Sequence, residues 1–240
     1  MNNKINLLQK MIDGANNIVF FGGAGVSTDS GIKDFRSKDG LYNEKYKYPP
    51  EFMLSRDRFN NLTEDFYDFY KNKMNCLDIE PNITHKYLKE LEDVGKLKAI
   101  ITQNIDGLHQ KAGNKVIYEL HGTIYKNNCM ICNKEYGAEY IFSSPNIPKC
   151  SCGGIIKPSV VLYGEPLPND IYMGAVDAIS KADMLIVAGT SLTVEPASSL
   201  VRLFRGKSLV IINNDKTSYD NNANLVINDN LGRVFGKLKI

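Results

Sequence analysis

The sequence has no tryptophan and only three histidines in 240 residues. Imidazole chemistry therefore has three candidates, His85, His109 and His121. Long apolar runs are also missing. Stretches such as Met184–Ala188 are only of strand length, and no basic start leads into an apolar segment. These absences predict a soluble, cytoplasmic protein with no membrane partner. Charge of one sign is lacking too: 29 Lys and Arg against 27 Asp and Glu leave a net +2, too near neutral to point to nucleic acid. Internal repeats and low-complexity tracts are absent. Nothing in the sequence sets the oligomeric state, and a monomer is compatible with it.

What is there alternates between strand and helix. Apolar runs at 18–21, 97–101, 116–120, 160–163, 184–188, 209–212 and 225–227 read as strands. Helical spacing at 6–12, 83–94, 107–112, 171–180, 197–204 and up to 238 fills the gaps. At least six strands separated by helices predict an α/β fold with a doubly wound, Rossmann-like parallel sheet. The alternation fails twice. Residues 33–82 hold a Tyr-rich loop through Pro49-Pro50 and helix candidates near 51–54 and 62–74, whose Phe66, Tyr67, Phe69 and Tyr70 are expected in a core. Residues 123–154 hold four of the five cysteines. The expected division is a nucleotide-binding domain from 1–32, 83–122 and 155–240, with 33–82 and 123–154 as two modules of a smaller one.

Polar residues cluster just past the carboxyl ends of the predicted strands, where ligands bind in open α/β sheets. Gly22-Gly23-Ala24-Gly25-Val26-Ser27 follows the first, Thr102-Gln103-Asn104-Ile105-Asp106-Gly107 the second and His121-Gly122 the third. The glycine turn lacks G-x-G-x-x-G spacing, but Ser27-Thr28-Asp29-Ser30-Gly31 adds small residues that let backbone N–H groups approach a phosphate. His121 emerges at the same sheet edge as Asn104 and Asp106, which singles it out as a general base; His85 and His109 read as helix histidines with local hydrogen bonds. Cys129-x-x-Cys132 and Cys150-x-Cys152 supply four thiolates, a set that suits tetrahedral Zn2+ and leaves no open position for catalysis. Cys76 is left over as an ordinary thiol.

Along nearly its whole length the sequence resembles the sirtuins, the NAD-dependent protein deacylases. The resemblance runs in order through 23–27, 30–32, 34–37, Thr102-Gln103-Asn104-Ile105-Asp106-Gly107-Leu108-His109, Ala112-Gly113, His121-Gly122, the cysteine pairs, Val160-Val161-Leu162-Tyr163-Gly164-Glu165, Gly189-Thr190-Ser191-Leu192, Pro196-Ala197 and Ile212-Asn213. It implies that the two interruptions form a small domain of zinc ribbon and helical insertion. It also implies NAD held by Ala24, Gly25, Thr28, Arg36 and Gln103, with adenosine near Thr190, Ser191, Asn213 and Leu231 and nicotinamide near Phe35, Asn104, Ile105 and Asp106. His121 and Asn104 would be catalytic, with His121 taking a proton from the ribose hydroxyls. Acetyl-lysine would enter beside Val161, Leu162, Tyr163, Gly164 and Val194, its peptide adding as a strand. The products would be lysine, nicotinamide and O-acetyl-ADP-ribose.

Three departures from the family pattern stand out: Lys33 in place of the usual proline, C-x-C in place of C-x-x-C, and Leu162-Tyr163 at a position often held by other aromatics. Two further functions use the same features. One is mono-ADP-ribosyl transfer or NAD hydrolysis, which needs His121 less; the other is a non-catalytic NAD or ADP-ribose sensor, which has no use for a base beside a ribose.

Overall fold

The computed structural model of the protein describes residues 2–35, 40–43 and 48–240. Helix α1 (Asn2–Gly14) buries Ile5, Leu8 and Ile12 along one stripe and delivers the chain into β1 (Ile18–Gly22). The Lys96 ammonium closes the end of α1, donating to the carbonyls of Ile12, Asp13 and Ala15 at 2.8, 2.7 and 3.2 Å. Helices α2 (Pro50–Met53), α3 (Arg56–Asn61) and α4 (Thr63–Met74) follow, then α5 (Ile83–Asp93), β2 (Leu97–Thr102), α6 (Leu108–Lys111) and β3 (Ile117–Glu119). The excursion that comes next contains β4 (Gly122–Cys129), β5 (Glu135–Tyr136), α7 (Ala138–Ser143) and β6 (Ile156–Val160). The chain ends through α8 (Asn169–Lys181), β7 (Met184–Ala188), β8 (Ser208–Ile212), β9 (Leu225–Ile227) and α9 (Leu231–Phe235).

Six strands form one parallel sheet in the order β3-β2-β1-β7-β8-β9. Every residue of β1 and β7 is buried, as a strand covered on both faces requires. One face packs Leu8, Ile12, Leu88, Leu91, Val234 and Phe235 from α1, α5 and α9; the other packs Ala175 and Ile179 of α8 with Leu200 and Val201. The chain builds outward from β1 to β3, then returns to build from β7 to β9 on the other side. The point of reversal lies between β1 and β7, so their carboxyl ends open onto the crevice where such sheets bind ligands.

The expected strand at 160–163 is corrected. The strand is β6, it ends at Val160, and it pairs antiparallel with β4 in a separate three-stranded sheet, β5-β4-β6. Its alternating burial, with Lys157 and Ser159 half-exposed and a proline at 158, suits a one-faced sheet and not the centre of a parallel one. Although β6 follows the boundary drawn at 155, Ile156, Val160 and Leu162 pack into the core of the smaller module. That core also takes Phe66, Tyr67, Phe69 and Tyr70 of α4, buried as expected, together with Ile141 of α7, so the helical insertion and the cysteine excursion share one interior. The segment expected as a helix over 197–204 is a 3-10 helix, Ala197–Leu203.

Candidate functional site

The turns at the ends of β1 and β7 press backbone to backbone. Gly25 N–H donates to the Gly189 carbonyl at 2.8 Å, and a Cβ on Gly25 would sit 2.7 Å from the Gly189 Cα. Gly189 itself has φ 60°, and a Cβ there would meet the Val26 nitrogen at 2.5 Å. Both positions therefore demand glycine. Gly189 N–H donates to the Ile212 carbonyl at 3.1 Å and Asn213 N–H to the Ile227 carbonyl at 3.1 Å, which carries the same rim across β8 to β9. On the other side Gln103 N–H donates to the Gly22 carbonyl at 2.9 Å, and Thr190 Oγ1 donates to Gln103 Oε1 at 2.7 Å. The predicted residues Ala24, Gly25, Gln103, Thr190, Ser191 and Asn213 thus line one crevice rim, all of them half-buried except Thr190, which is buried. Thr28 Oγ1 turns inward to the Gly25 carbonyl at 3.0 Å.

Beside this rim lies a polar triad. Ser27 Oγ donates to Asp106 Oδ2 at 2.6 Å and accepts from Asn104 Nδ2 at 3.0 Å, while Asp106 Oδ1 accepts the Leu108 N–H at 3.0 Å. Asp106 is 6% exposed, and burial raises its pKa against the hydrogen bonds from Ser27, Leu108 and Asn104 that lower it. By its sequence position Ser27 belongs only to the phosphate turn. Its hydroxyl in fact joins the turn to the Asn104–Asp106 loop, a link that a separation of 79 residues hides from sequence reading.

His121 is half-buried, with Nδ1 2.9 Å from the Gln103 carbonyl. A carbonyl only accepts, so Nδ1 carries the proton and Nε2 keeps a lone pair. Burial lowers the His121 pKa, opposed by that hydrogen bond, and the ring is neutral at pH 7. The other two histidines are buried in the fold with ring centroids 4.7 Å apart. His85 Nδ1 accepts the Asn82 N–H at 3.3 Å, the local bond expected of it; among the described residues neither ring nitrogen of His109 has a partner, contrary to expectation.

The predicted acyl-lysine residues separate. Val161 N–H donates to the His121 carbonyl at 2.8 Å, so Val161 adjoins His121, and half-buried Val194 follows the Gly189 turn. Leu162 is 2% exposed and packs in the small core. Tyr163 is exposed and tied to Leu54 and Arg56 through backbone bonds of 3.0 and 2.9 Å, with Gly164 beyond it at φ 89°. Leu231, 5% exposed, is likewise a core residue. Ile105 and Phe35 are half-buried, the Phe35 ring standing edge-on to Tyr42. Arg36 lies outside the described residues.

At the far end of the small module the sulfur atoms of Cys129, Cys132, Cys150 and Cys152 all lie within 4.8 Å of one another, with pairs at 3.4, 3.5 and 3.5 Å and no disulfide. A tetrahedron with bonds of about 2.3 Å has edges of about 3.8 Å, so the four thiols fit Zn2+. Left-handed Asn133 and Gly153 turn the two knuckles, and Gly154 leaves room for Cys129, whose sulfur a Cβ would approach to 2.6 Å. The C-x-C spacing still closes the site.

Comparison with known proteins agrees along the chain. The Sir2 family model matches residues 23–196. A protein of Clostridium acetobutylicum named NAD-dependent protein deacetylase is 56% identical over 235 residues, covering 96% of each chain. One of the same name from Clostridium perfringens is 54% identical, covering 99% of each. Among solved structures, a complex described as Sir2 with p53 peptide and NAD+ superposes with a TM-score of 0.85 at 36% identity, covering 98% of this chain and 96% of that one. A Sir2 variant with deacetylated p53 peptide and 3'-O-acetyl ADP ribose does so with a TM-score of 0.89 at 37% identity, covering 97% and 96%.

Proposed function

The chain belongs to the Sir2 family, and from that premise we propose that it is an NAD-dependent protein lysine deacetylase, yielding lysine, nicotinamide and O-acetyl-ADP-ribose. The observation that carries this is the neutral His121, its Nδ1 fixed on the Gln103 carbonyl beside the Ser27–Asn104–Asp106 triad. NAD, when bound, supplies an electrophilic ribose carbon. The turns around Gly25 and Gly189 bring backbone close enough to cradle its pyrophosphate. Asn104 keeps its Oδ1 for a ligand because its Nδ2 is spent on Ser27. His121 Nε2, with its lone pair kept by the Nδ1 bond to Gln103, would accept a proton from a ribose hydroxyl. A neutral amide is a weak nucleophile, so alignment of the reacting groups carries most of the acceleration, up to ~7–11 kcal/mol, and the base adds about 10²–10⁴-fold. Cys129, Cys132, Cys150 and Cys152 would fill all four positions of a bound zinc, which would then hold the ribbon, and with it the β4–β6 sheet whose strands lead to His121 and Val161, without supplying a catalytic site. A cytoplasm that is reducing and supplied with NAD suits four free thiols.

The acyl group follows from charge. Val161, Val194 and Phe35 offer apolar side chains. Arg58, a buried guanidinium in the neighbouring helices, is already engaged by Asp65 at 2.7 Å and stacked on Tyr48 and Phe52. Lys38 and Lys45 lie outside the described residues. A buried carboxylate without a partner costs several kcal/mol, so acidic acyl groups are disfavoured by at least ~10² in kcat/KM, about 2.7 kcal/mol. Mass spectrometry of one peptide carrying acetyl, butyryl or succinyl lysine, incubated with NAD, tests both claims. Acetyl removal with O-acetyl-ADP-ribose is expected. ADP-ribosylated peptide or free ADP-ribose alone would favour transfer or hydrolysis, and succinyl removal as fast as acetyl would reveal a cation in the acyl site.

A further inference from the structure

Asn82 stands at the N-cap of α5, where Ser, Thr or Asp would serve as well. Its side chain does more than cap. Oδ1 accepts the Thr84 N–H at 2.9 Å, and Nδ2 donates to the Val26 carbonyl at 2.8 Å and to Ser30 Oγ at 3.0 Å. Val26 closes the first 3-10 turn after β1, Ala24–Val26, and Ser30 closes the second, Thr28–Ser30; neither turn has a side-chain cap of its own. Ser27, which bonds Asn104 and Asp106, sits between the two held points. An amide alone among short capping side chains offers an acceptor and two donors at once, so the cap explains only half of this residue.

We propose that Asn82 is a positioning residue for the dinucleotide turn: its NH2 group holds Val26 and Ser30 so that the 24–30 segment keeps its shape against the Gly189 turn and presents Ser27 to the Asn104–Asp106 loop. The inference rests on NAD binding at that turn. It separates two roles that a single substitution can split. Asn82→Asp retains an oxygen for the Thr84 N–H and the size of the side chain, so α5 stays capped, but it turns an acceptor toward the Val26 carbonyl.

NAD affinity by calorimetry, steady-state KM for NAD and for acetylated peptide, and the melting temperature are measured for the unsubstituted protein, Asn82→Asp, Ser30→Ala and the double variant. Loss of two neutral hydrogen bonds predicts a rise of about tenfold in KM and Kd for NAD in Asn82→Asp, with peptide KM moving less than twofold and melting within a few degrees. Ser30→Ala should give a smaller rise, and the double variant less than the product of the two, because both touch one contact. Unchanged NAD affinity in Asn82→Asp, or equal losses for NAD and peptide that track melting, would overturn the proposal and leave Asn82 a cap. Absence of NAD binding by the unsubstituted protein would instead remove the cofactor reading, and this inference with it.

Discussion

At the scale of single residues the chemistry depends on which ring nitrogen of His121 carries a proton, and the Gln103 carbonyl decides that. Protonation would occupy the Nε2 lone pair. Because burial lowers the pKa, that loss comes below the ordinary 6.5, so the acid limb of kcat/KM against pH should fall below 6.5. A limb at or above 6.5 would mean that a different group is the base. His121→Ala should lose at least ~10² in deacetylation while still binding NAD, and its exchange of labelled nicotinamide should survive better than deacetylation. Equal loss of both would place the imidazole's role before nicotinamide departs. Asp106 shows the opposite habit, a carboxyl whose two oxygens are already engaged by Ser27 and Leu108, so that it shapes the loop.

At the scale of elements, the site is a meeting of two turns and one ribbon. Gly189→Ala forces a side chain into a left-handed backbone and against the Val26 nitrogen. A destabilisation of about 2–4 kcal/mol is expected from the combined backbone and overpacking costs, with NAD binding lost; urea unfolding and calorimetry on the purified variant would show it. Native stability and affinity in that variant would mean that the two turns are not held in contact. The ribbon is an element whose tip depends on its thiols. Cys150→Ser, or chelation, should release about one zinc per chain and lower the melting temperature, since metal binding at a closed site is folding free energy. Metal analysis that finds no zinc in the native protein, with a melting curve indifferent to chelator, would remove the assignment.

For the whole molecule, the buried histidine pair sets a dependence of stability on pH. An unfolded His85 takes a proton near pH 6.5, whereas burial holds the folded one neutral down to about 4. Between those values the unfolded chain binds more protons, so the stability contributed by the neutral ring, complete above pH 6.5, is lost as pH falls, by up to about 3 kcal/mol. His109, lowered by its burial and by His85, acts in the same sense. Asp106 and Glu119, raised by burial, take up protons more readily when folded and act in the opposite sense. The histidine contribution is therefore read as a difference: the stability margin of the native protein over His85→Gln should shrink between pH 6.5 and 4. A margin independent of pH would mean that the ring is charged or hydrated in the fold. Among the described residues no helix is long and apolar enough to cross a membrane.

Local pattern alone determined much of this protein. Uninterrupted apolar runs at β1 and β7, buried on both faces, could only be central strands; aromatic spacing in α4 placed Phe66, Tyr67, Phe69 and Tyr70 inside; and the cysteine pairs announced a four-thiol cluster that suits zinc. Each of these is set by near neighbours in the chain. The tertiary structure decided what depends on distant partners. The run at 160–163 reads by its apolar pattern as a strand of the large sheet, and only the antiparallel pairing with β4 shows that the strand is 156–160 and belongs to the small one. How deeply Leu162 and Leu231 are buried depends on the packing of remote elements, and here both pack in the core. Ser27 reaching Asp106 across 79 residues, and Asn82 reaching Val26 across 56, leave no periodic trace in the sequence. A side-chain hydrogen bond has a range of about 3 Å, and only folding brings such residues that close.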